Sequence, residues 1–213
     1  LIYAENSEFN LNGINQKEYP NVALENSKNF VKINTKLFKT IINQTAFATS
    51  TDESRPILTG INIKITGDIL ECSATDSYRL AKKQAKLNEI AGETYNIIVP
   101  GKNIVEFMKI LNEGNEELEI HIFSNKVLFK QNNLLFQSRL VSGNYPNVNN
   151  LIPSDSFLKI TANLSNLYDV IDRASILTSD KEKNIVTLET NKNLLIVRSS
   201  SAEIGRVEEK MNI

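Results

Sequence analysis

A single cysteine, a single histidine and almost no net charge set the first limits on what this chain of 213 residues does. One cysteine, Cys72, forms no internal disulfide and supports no thiolate cage for a metal. Its place in an extended apolar stretch fits a small buried residue in a reducing compartment. With 24 basic and 25 acidic residues the net charge is −1, so no whole-molecule field draws in nucleic acid. Any such attraction comes from charges sorted onto one face. No apolar run reaches the ~18 residues of a membrane-spanning helix, and no secretory signal pattern opens the chain. The opening LIYAENSEFNLNGI reads instead as the middle of a strand. The expectation is a fragment whose natural beginning lies upstream.

Catalytic signatures are missing as well. His121 alternates with Ile120 and Ile122 in a predicted strand, which points to a solvent-facing side chain. No nucleophile–histidine spacing, glycine-rich phosphate loop, HExxH or Cys/His cluster occurs. Asp76 has no second carboxylate fixed beside it by spacing, and an Asp after Thr on a bend ordinarily bonds the local backbone. The chain reads as non-enzymatic, with no cofactor, no metal and no membrane partner.

What is present is ordinary globular composition, 41% hydrophobic and 23% charged, and a text that repeats. FNLNGINQKEYPNV (residues 9–22) and FQSRLVSGNYPNV (136–148) both run from a phenylalanine to aromatic-Pro-Asn-Val. Each is followed by related text, NFVKINTKLFKTII and SFLKITANLSNLYDVI. Phe30 matches Phe157 and Ile33 matches Ile160 at an offset of 127 residues; Ala46 matches Ala174 and Ile57 matches Ile185 at 128. Pro-Asn alone is a common turn pair, so it is the flanking agreement that argues against chance. The period is too long for a solenoid and suits a domain. It divides the chain into residues 1–26, the end of one domain; 27–153, a complete one; and 154–213, the start of a third.

Within 27–153 the strand signals are NFVKI, LTGINIKITG, ILECSAT, YRLAKKQAKL, TYNIIVP, ELEIHIFS, KVLFKQ and LLFQSRLV, most of them alternating apolar and polar residues. Two segments keep helical spacing. One buries Leu37, Phe38, Ile41 and Ile42; the other buries Ile104, Val105, Met108 and Leu111, with Pro100 before it and Gly114 after. The third piece restarts the pattern with strand FLKITA, a helix carrying Leu164, Leu167, Ile171 and Ala174, and strands NIVTLET and NLLIVRSS. The fold class is α+β.

The outer faces of the helices carry Lys36, Lys39, Thr40 and Asn43 on the first and Lys102, Glu106, Lys109 and Glu113 on the second. Two readings fit. Taken alone, these residues favour an ordinary solvated face; they also suit loose, sequence-independent contact with phosphates. The third helix exposes Asn166, Asp169, Asp172 and Arg173 and is not basic.

Four ordered motifs bring in a family. ESRPILTGINI (53–63), ATDSYRLA (74–81), IVPGKNIVEFMKIL (98–111) and FQSRLVSGNYPNVNNLIP (136–153) closely resemble the middle domain of the bacterial replicative sliding clamp, the β subunit of DNA polymerase III. The resemblance runs over the whole chain in order. It implies the DNA-clamp fold, a repeated module of two helices packed on antiparallel sheets, and a cytoplasmic, nucleoid-associated bacterial protein. It further implies a head-to-tail homodimer of the full-length protein that rings duplex DNA and binds it without regard to sequence. Helices over 34–47 and 102–113 would then turn Lys36, Lys39, Lys102 and Lys109 to the channel, with Arg55 nearby. Pro56 and Ile57 stand where some relatives carry aromatics that touch DNA.

The same resemblance gives the polar bend in ECSATDSYRLAKKQ a role. It implies one wall of a pocket for short peptides of the polymerase catalytic subunit and the clamp loader, formed by Leu58, Thr75, Ser77, Tyr78, Arg79, Leu80, Pro146 and Leu151. Leu58, Leu80, Pro146 and Leu151 would give an apolar floor, and Arg79 would orient the peptide. The far wall belongs to a C-terminal tail beyond Ile213. Ser77 stands where glycine is common, and Asn150 where some relatives carry arginine. Two competing readings are a repeated β-rich adhesion module, which calcium-ligand loops would favour, and a degenerate β-rich hydrolase, which a clustered carboxylate pair would favour. Neither accounts for four motifs in order.

Overall fold

The computed structural model describes residues 1–19, 24–112, 114, 116–178 and 185–213. They form two compact units, Leu1–Leu151 and Ile152–Ile213. The first opens with an exposed hairpin of β1 (Ile2–Ala4) and β2 (Ser7–Phe9). The Pro-Asn-Val of the first repeat copy, residues 20–22, lies outside the described residues. Then follow β3 (Phe30–Asn34), α1 (Thr35–Asn43), β4 (Gly60–Thr66), β5 (Ile69–Thr75), β6 (Leu80–Lys86), β7 (Tyr95–Pro100), α2 (Gly101–Ile110), β8 (Glu117–Ile122), β9 (Lys126–Gln131) and β10 (Leu134–Arg139).

The eight strands after the hairpin make two antiparallel four-stranded sheets, ordered β10-β9-β8-β3 and β6-β5-β4-β7. Their alternation sets which face is buried. On β4, Ile61, Ile63 and Ile65 point into the core, while Lys64 and Thr66 face water. Gly67, at φ +59°, makes the tight turn from β4 to β5. The sheets adjoin where the Val141 N–H donates to Ile98 O at 2.9 Å.

Helix α1 starts where Asn34 Oδ1 accepts the Leu37 N–H at 3.1 Å, satisfying one of the first turn's orphan donors. It stops at Asn43, earlier than the expected 34–47. Thr45 turns its hydroxyl back onto Ile41 O at 2.8 Å, and the chain tightens into a 3₁₀ turn, Ala46–Ala48. Helix α2 spans Gly101–Ile110, ending short of the expected 113; Glu113 is outside the described residues. Gly101 is needed where α2 begins, because a Cβ there would lie 2.9 Å from Thr59 O.

The helices pack on the first sheet through phenylalanines. Phe107 stacks on Phe129 and Phe136, each at 4.8 Å between centroids, and Phe38 meets Phe129 at 5.8 Å. Burying each such ring is worth roughly 1.5–3 kcal/mol. The expected stripe of α2 is corrected here: Phe107 is fully buried, whereas Val105 is 38% exposed. Ile104, Met108 and Leu111 are buried as expected. Cys72 is buried on β5, and burial pushes its thiol well above the ordinary range.

The second unit has α3 (Leu164–Ser175) and an antiparallel meander of β11 (Thr187–Asn191), β12 (Leu194–Ser201) and β13 (Gly205–Asn212). Val170 and Ala174 are its buried helical contacts; Leu164, expected on that stripe, is exposed. The plan of the first unit recurs, a helix followed by a three-stranded meander, α1 then β4-β5-β6 and α3 then β11-β12-β13. Asn163 caps α3 as Asn34 caps α1, taking the Asn166 N–H at 3.1 Å. The two caps lie 129 residues apart, so the helices repeat at a longer offset than the matched letters. The expected strand FLKITA does not form among the described residues. Its counterpart β3 is held by the ladder to β8, and no such partner lies beside 157–162 in the strand pairings.

Candidate functional site

The bend between β5 and β6 is a network of short-range bonds closed by the Thr75–Leu80 pair of the ladder. Thr75 Oγ1 donates to Arg79 O at 2.7 Å and accepts the Ser77 N–H at 3.1 Å. Asp76 Oδ1 accepts the N–H groups of Tyr78 and Arg79 at 2.9 and 3.0 Å, and Oδ2 takes Arg79 Nε at 3.1 Å. The backbone bonds from Arg79 and Tyr78 hold the Asp76 carboxyl below its ordinary range. Asp76 is thus a turn residue bonding the local backbone.

Ser77 sits at φ +80°, a left-handed conformation that glycine adopts freely and serine does not. The serine is held by its neighbours: Arg55 Nη1 donates to Ser77 Oγ at 3.0 Å, and Arg55 Nε donates to Asp52 Oδ2 at 3.2 Å. Arg79 lies over the exposed Phe47 ring, 5.7 Å from its centroid, and Tyr78 is 95% exposed. The bend therefore offers an aromatic, a cation stacked on a second aromatic, and Leu80 at its base.

Beside it is a cleft of about 390 Å³, lined by Arg55, Pro56, Ile57, Leu58, Asn144 and Pro146 among others. Leu58 and Pro146 come together here from positions 88 residues apart in the sequence. Arg55, expected among the DNA-facing residues, lines this same cleft and reaches the bend. Gly143, at φ +127°, forms part of the surround: a Cβ there would lie 2.7 Å from Ile57 Cδ1. Of the expected apolar floor, Leu80 and Leu151 do not line this cleft; Leu80 begins β6, and Leu151 ends the 3₁₀ turn Val148–Leu151 and is 60% exposed. That turn is tied to β6 by Lys82, which bonds Asn149 Oδ1 and Glu71 Oε2, the latter at 2.9 Å.

Sequence reasoning passed over Tyr145, Gly143 and Asn144. Tyr145 stood in the repeated aromatic-Pro-Asn-Val text, which was its only signal. Its hydroxyl accepts the Thr75 N–H at 3.0 Å; burial raises its pKa while that bond pulls the other way.

Lys36, Lys39, Thr40 and Asn43 line one shallow cleft of about 300 Å³ on α1. Lys39 Nζ also reaches Leu111 O at 3.3 Å. On α2, Lys102 is exposed near Pro100 and Glu106, and Lys109 is paired with Glu106 at 2.7 Å. Helices α1 and α2 are neighbours, so the four lysines belong to adjacent helices. His121 departs from expectation: it points away from the core yet is 2% exposed, accepts the Ser27 N–H on Nδ1 at 3.1 Å, and lies 4.9 Å from the Phe30 ring. The segment leading into β3 covers it.

A helix pair against two antiparallel sheets, followed by a second helix-and-meander unit in the same chain, is the architecture of DNA-clamp proteins. The profile of the DNA polymerase III beta subunit central domain matches residues 32–147, and that of its C-terminal domain matches 149–213. The chain belongs to the DNA polymerase III beta subunit family. It is 44% identical over 210 residues to the beta sliding clamp of Bacillus subtilis (strain 168), covering 98% of this chain and 56% of that protein. It is 39% identical over 212 residues to the beta sliding clamp of Staphylococcus aureus (strain N315), covering 100% and 56%. The chain thus spans little more than half the length of these relatives. The crystal structure of the Bacillus subtilis DNA polymerase sliding clamp superposes with a TM-score of 0.89 at 43% identity, over 97% of this chain and 55% of that one. The DNA polymerase III beta chain of Streptococcus pneumoniae TIGR4 gives 0.88 at 35%, over 99% and 56%.

Proposed function

We propose that this chain is the central part of a replicative sliding clamp, a non-catalytic processivity factor of the bacterial cytoplasm. Residues 1–26 are the end of its first domain, 27–153 the second and 154–213 the beginning of the third. The whole protein pairs head to tail with a second copy around duplex DNA. It also docks short peptides of the polymerase catalytic subunit and the clamp loader. Lys36, Lys39, Lys102 and Lys109 face the duplex. A few screened, exchangeable phosphate contacts let such a ring slide where base-specific contacts would arrest it.

The observation that carries the reading is the apolar cleft at Leu58 and Pro146, joined through Arg55 to the Thr75–Leu80 bend. A cleft of this volume, apolar with a few placed polar groups, accepts an aliphatic or aromatic anchor and fixes its backbone at the rim. The role of Leu151 is contact with the same peptide outside this cleft. The test uses the full-length protein and a fluorescent peptide from the polymerase tail. Leu58→Ala, Leu80→Ala or Arg79→Ala is expected to weaken binding by about tenfold or more in fluorescence polarisation while leaving the dimer intact. Unchanged titrations with all three substitutions would refute the assignment.

A further inference from the structure

His121 is held at both ring nitrogens. The Ser27 backbone N–H points at Nδ1 from 3.1 Å, and a backbone N–H only donates, so Nδ1 is the unprotonated nitrogen. The ring hydrogen is therefore on Nε2, directed at Glu119 Oε2 at 3.2 Å. This arrangement requires a neutral imidazole. We propose that His121 is a proton-operated latch on the segment leading into β3, closed on Ser27 when the ring is neutral and released when it is charged.

A second proton has one place to go. On Nδ1 it meets the Ser27 N–H, donor against donor, and that bond is lost. The imidazolium itself stays where it is, because Glu119 faces its other nitrogen and the Phe30 ring covers it at 4.9 Å, a contact that suits a cation as well as a neutral ring. The charges around it come from every packed element. Glu119 on β8 is shared with Lys130 of β9 at 3.5 Å. Lys32 of β3 lies 5.9 Å from the Phe30 centroid and pairs with Glu117 at 3.4 Å. Glu25 and Lys28 flank Ser27 along the chain. These charges come as acid–base pairs, so protonation adds charge beside a ready carboxylate and the strand survives while the latch opens. Ser27 Oγ still receives the Asn29 N–H at 3.2 Å, and Asn29 Nδ2 still donates to Glu93 at 3.0 Å, so release is local to the residues before Asn29. Histidine is the side chain whose ordinary titration falls between pH 5 and 8, the range over which the latch is tested. What acid loosens is the hold of β8 on the segment around Ser27.

In the full-length protein the nitrogen resonances of His121 are assigned through its proximity to the Phe30 ring, 4.9 Å away. Long-range ¹H–¹⁵N correlation from pH 8 to pH 5, with amide hydrogen exchange at Ser27, tests the latch. The expected result is the Nε2–H tautomer at pH 8. Exchange at Ser27, corrected for the intrinsic pH dependence, should then accelerate by about tenfold or more with the midpoint of the ring titration. His121→Asn, whose amide oxygen sits near the place of Nδ1 and does not titrate, should keep Ser27 protected across the range. Should that variant fail to fold, the wild-type chain alone decides. An Nδ1–H tautomer at pH 8, a ring that stays neutral to pH 5, or Ser27 protection that ignores the ring titration each overturns the proposal.

Discussion

The Thr75 backbone N–H donates to the Tyr145 hydroxyl at 3.0 Å, joining two residues 70 positions apart. Tyr145 precedes Pro146 of the cleft, and Thr75 begins the bend. This hydrogen bond, with that from Arg55 to Ser77, fastens the two features on which the docking proposal rests.

Removing the acceptor tests that fastening. Tyr145→Phe leaves the Thr75 N–H without a partner at a buried position. The expected destabilisation is about 1–3 kcal/mol, the range for stranding a buried donor. Urea denaturation measures it. Exchange at the Thr75 amide should rise more than at neighbouring β5 amides, because the loss is local.

Gly143→Ala probes the cleft from the other side. At φ +127° an alanine is strained whatever the space, and its Cβ would lie 2.7 Å from Ile57 Cδ1. Ile57 lines the cleft, so displacing it alters the cleft wall. The expectation is a loss of about 1–3 kcal/mol in stability, read by thermal unfolding, together with weaker binding of the polymerase-tail peptide. Full peptide affinity in the destabilised variant would separate the backbone effect from the cleft.

Much of this architecture was legible in local pattern. ILECSAT and KVLFKQ form the strands their alternation predicts, and Phe38, Ile41 and Ile42 are buried on α1 as their spacing requires. What local pattern lacks is the partner. FLKITA alternates as well as any strand in the chain, yet a strand is made by a ladder. Alternation predicts a solvent-facing His121, but the segment at Ser27 that buries it cannot be seen from alternation. The cleft shows the same limit. Leu58 and Pro146 came from resemblance to a family, while Arg55, Gly143 and Tyr145 matter because of contacts made across the fold. Ser77 is explained by geometry: its left-handed backbone is one that glycine adopts freely, and the Arg55 bond holds the serine in it.

The choice between Val105 and Phe107 is the opposite case, one that local spacing does settle, and carries its own measurement. Positions 104, 107, 108 and 111 are the i, i+3, i+4 and i+7 of a single helical face, so the spacing itself favours Phe107, and Val105 lies off that face. The stack of Phe107 on Phe129 and Phe136 agrees with it. Phe107→Ala should cost about 3–5 kcal/mol, whereas Val105→Ala, on the exposed side, should stay within about 1 kcal/mol. Equal losses in urea denaturation would contradict this packing.

The bend should also have a defined acid limit. Asp76 accepts the backbone N–H groups of Arg79 and Tyr78, and these bonds, with the Arg79 guanidinium, lower its pKa in the folded state. A carboxylate whose folded pKa lies below its unfolded value stabilises fully above the unfolded value, about 3.9 for aspartate, and that contribution disappears as pH falls through the folded one. The bend is therefore expected to hold unchanged from neutral pH down to about pH 4 and to loosen only below. Asp76→Asn keeps an oxygen for the two N–H groups and loses the charge, so its bend should show no acid transition. The carboxyl-carbon shift of Asp76, followed with exchange at the Tyr78 amide, measures both. A midpoint at or above the ordinary aspartate value would mean that the two backbone donors are not engaged in solution.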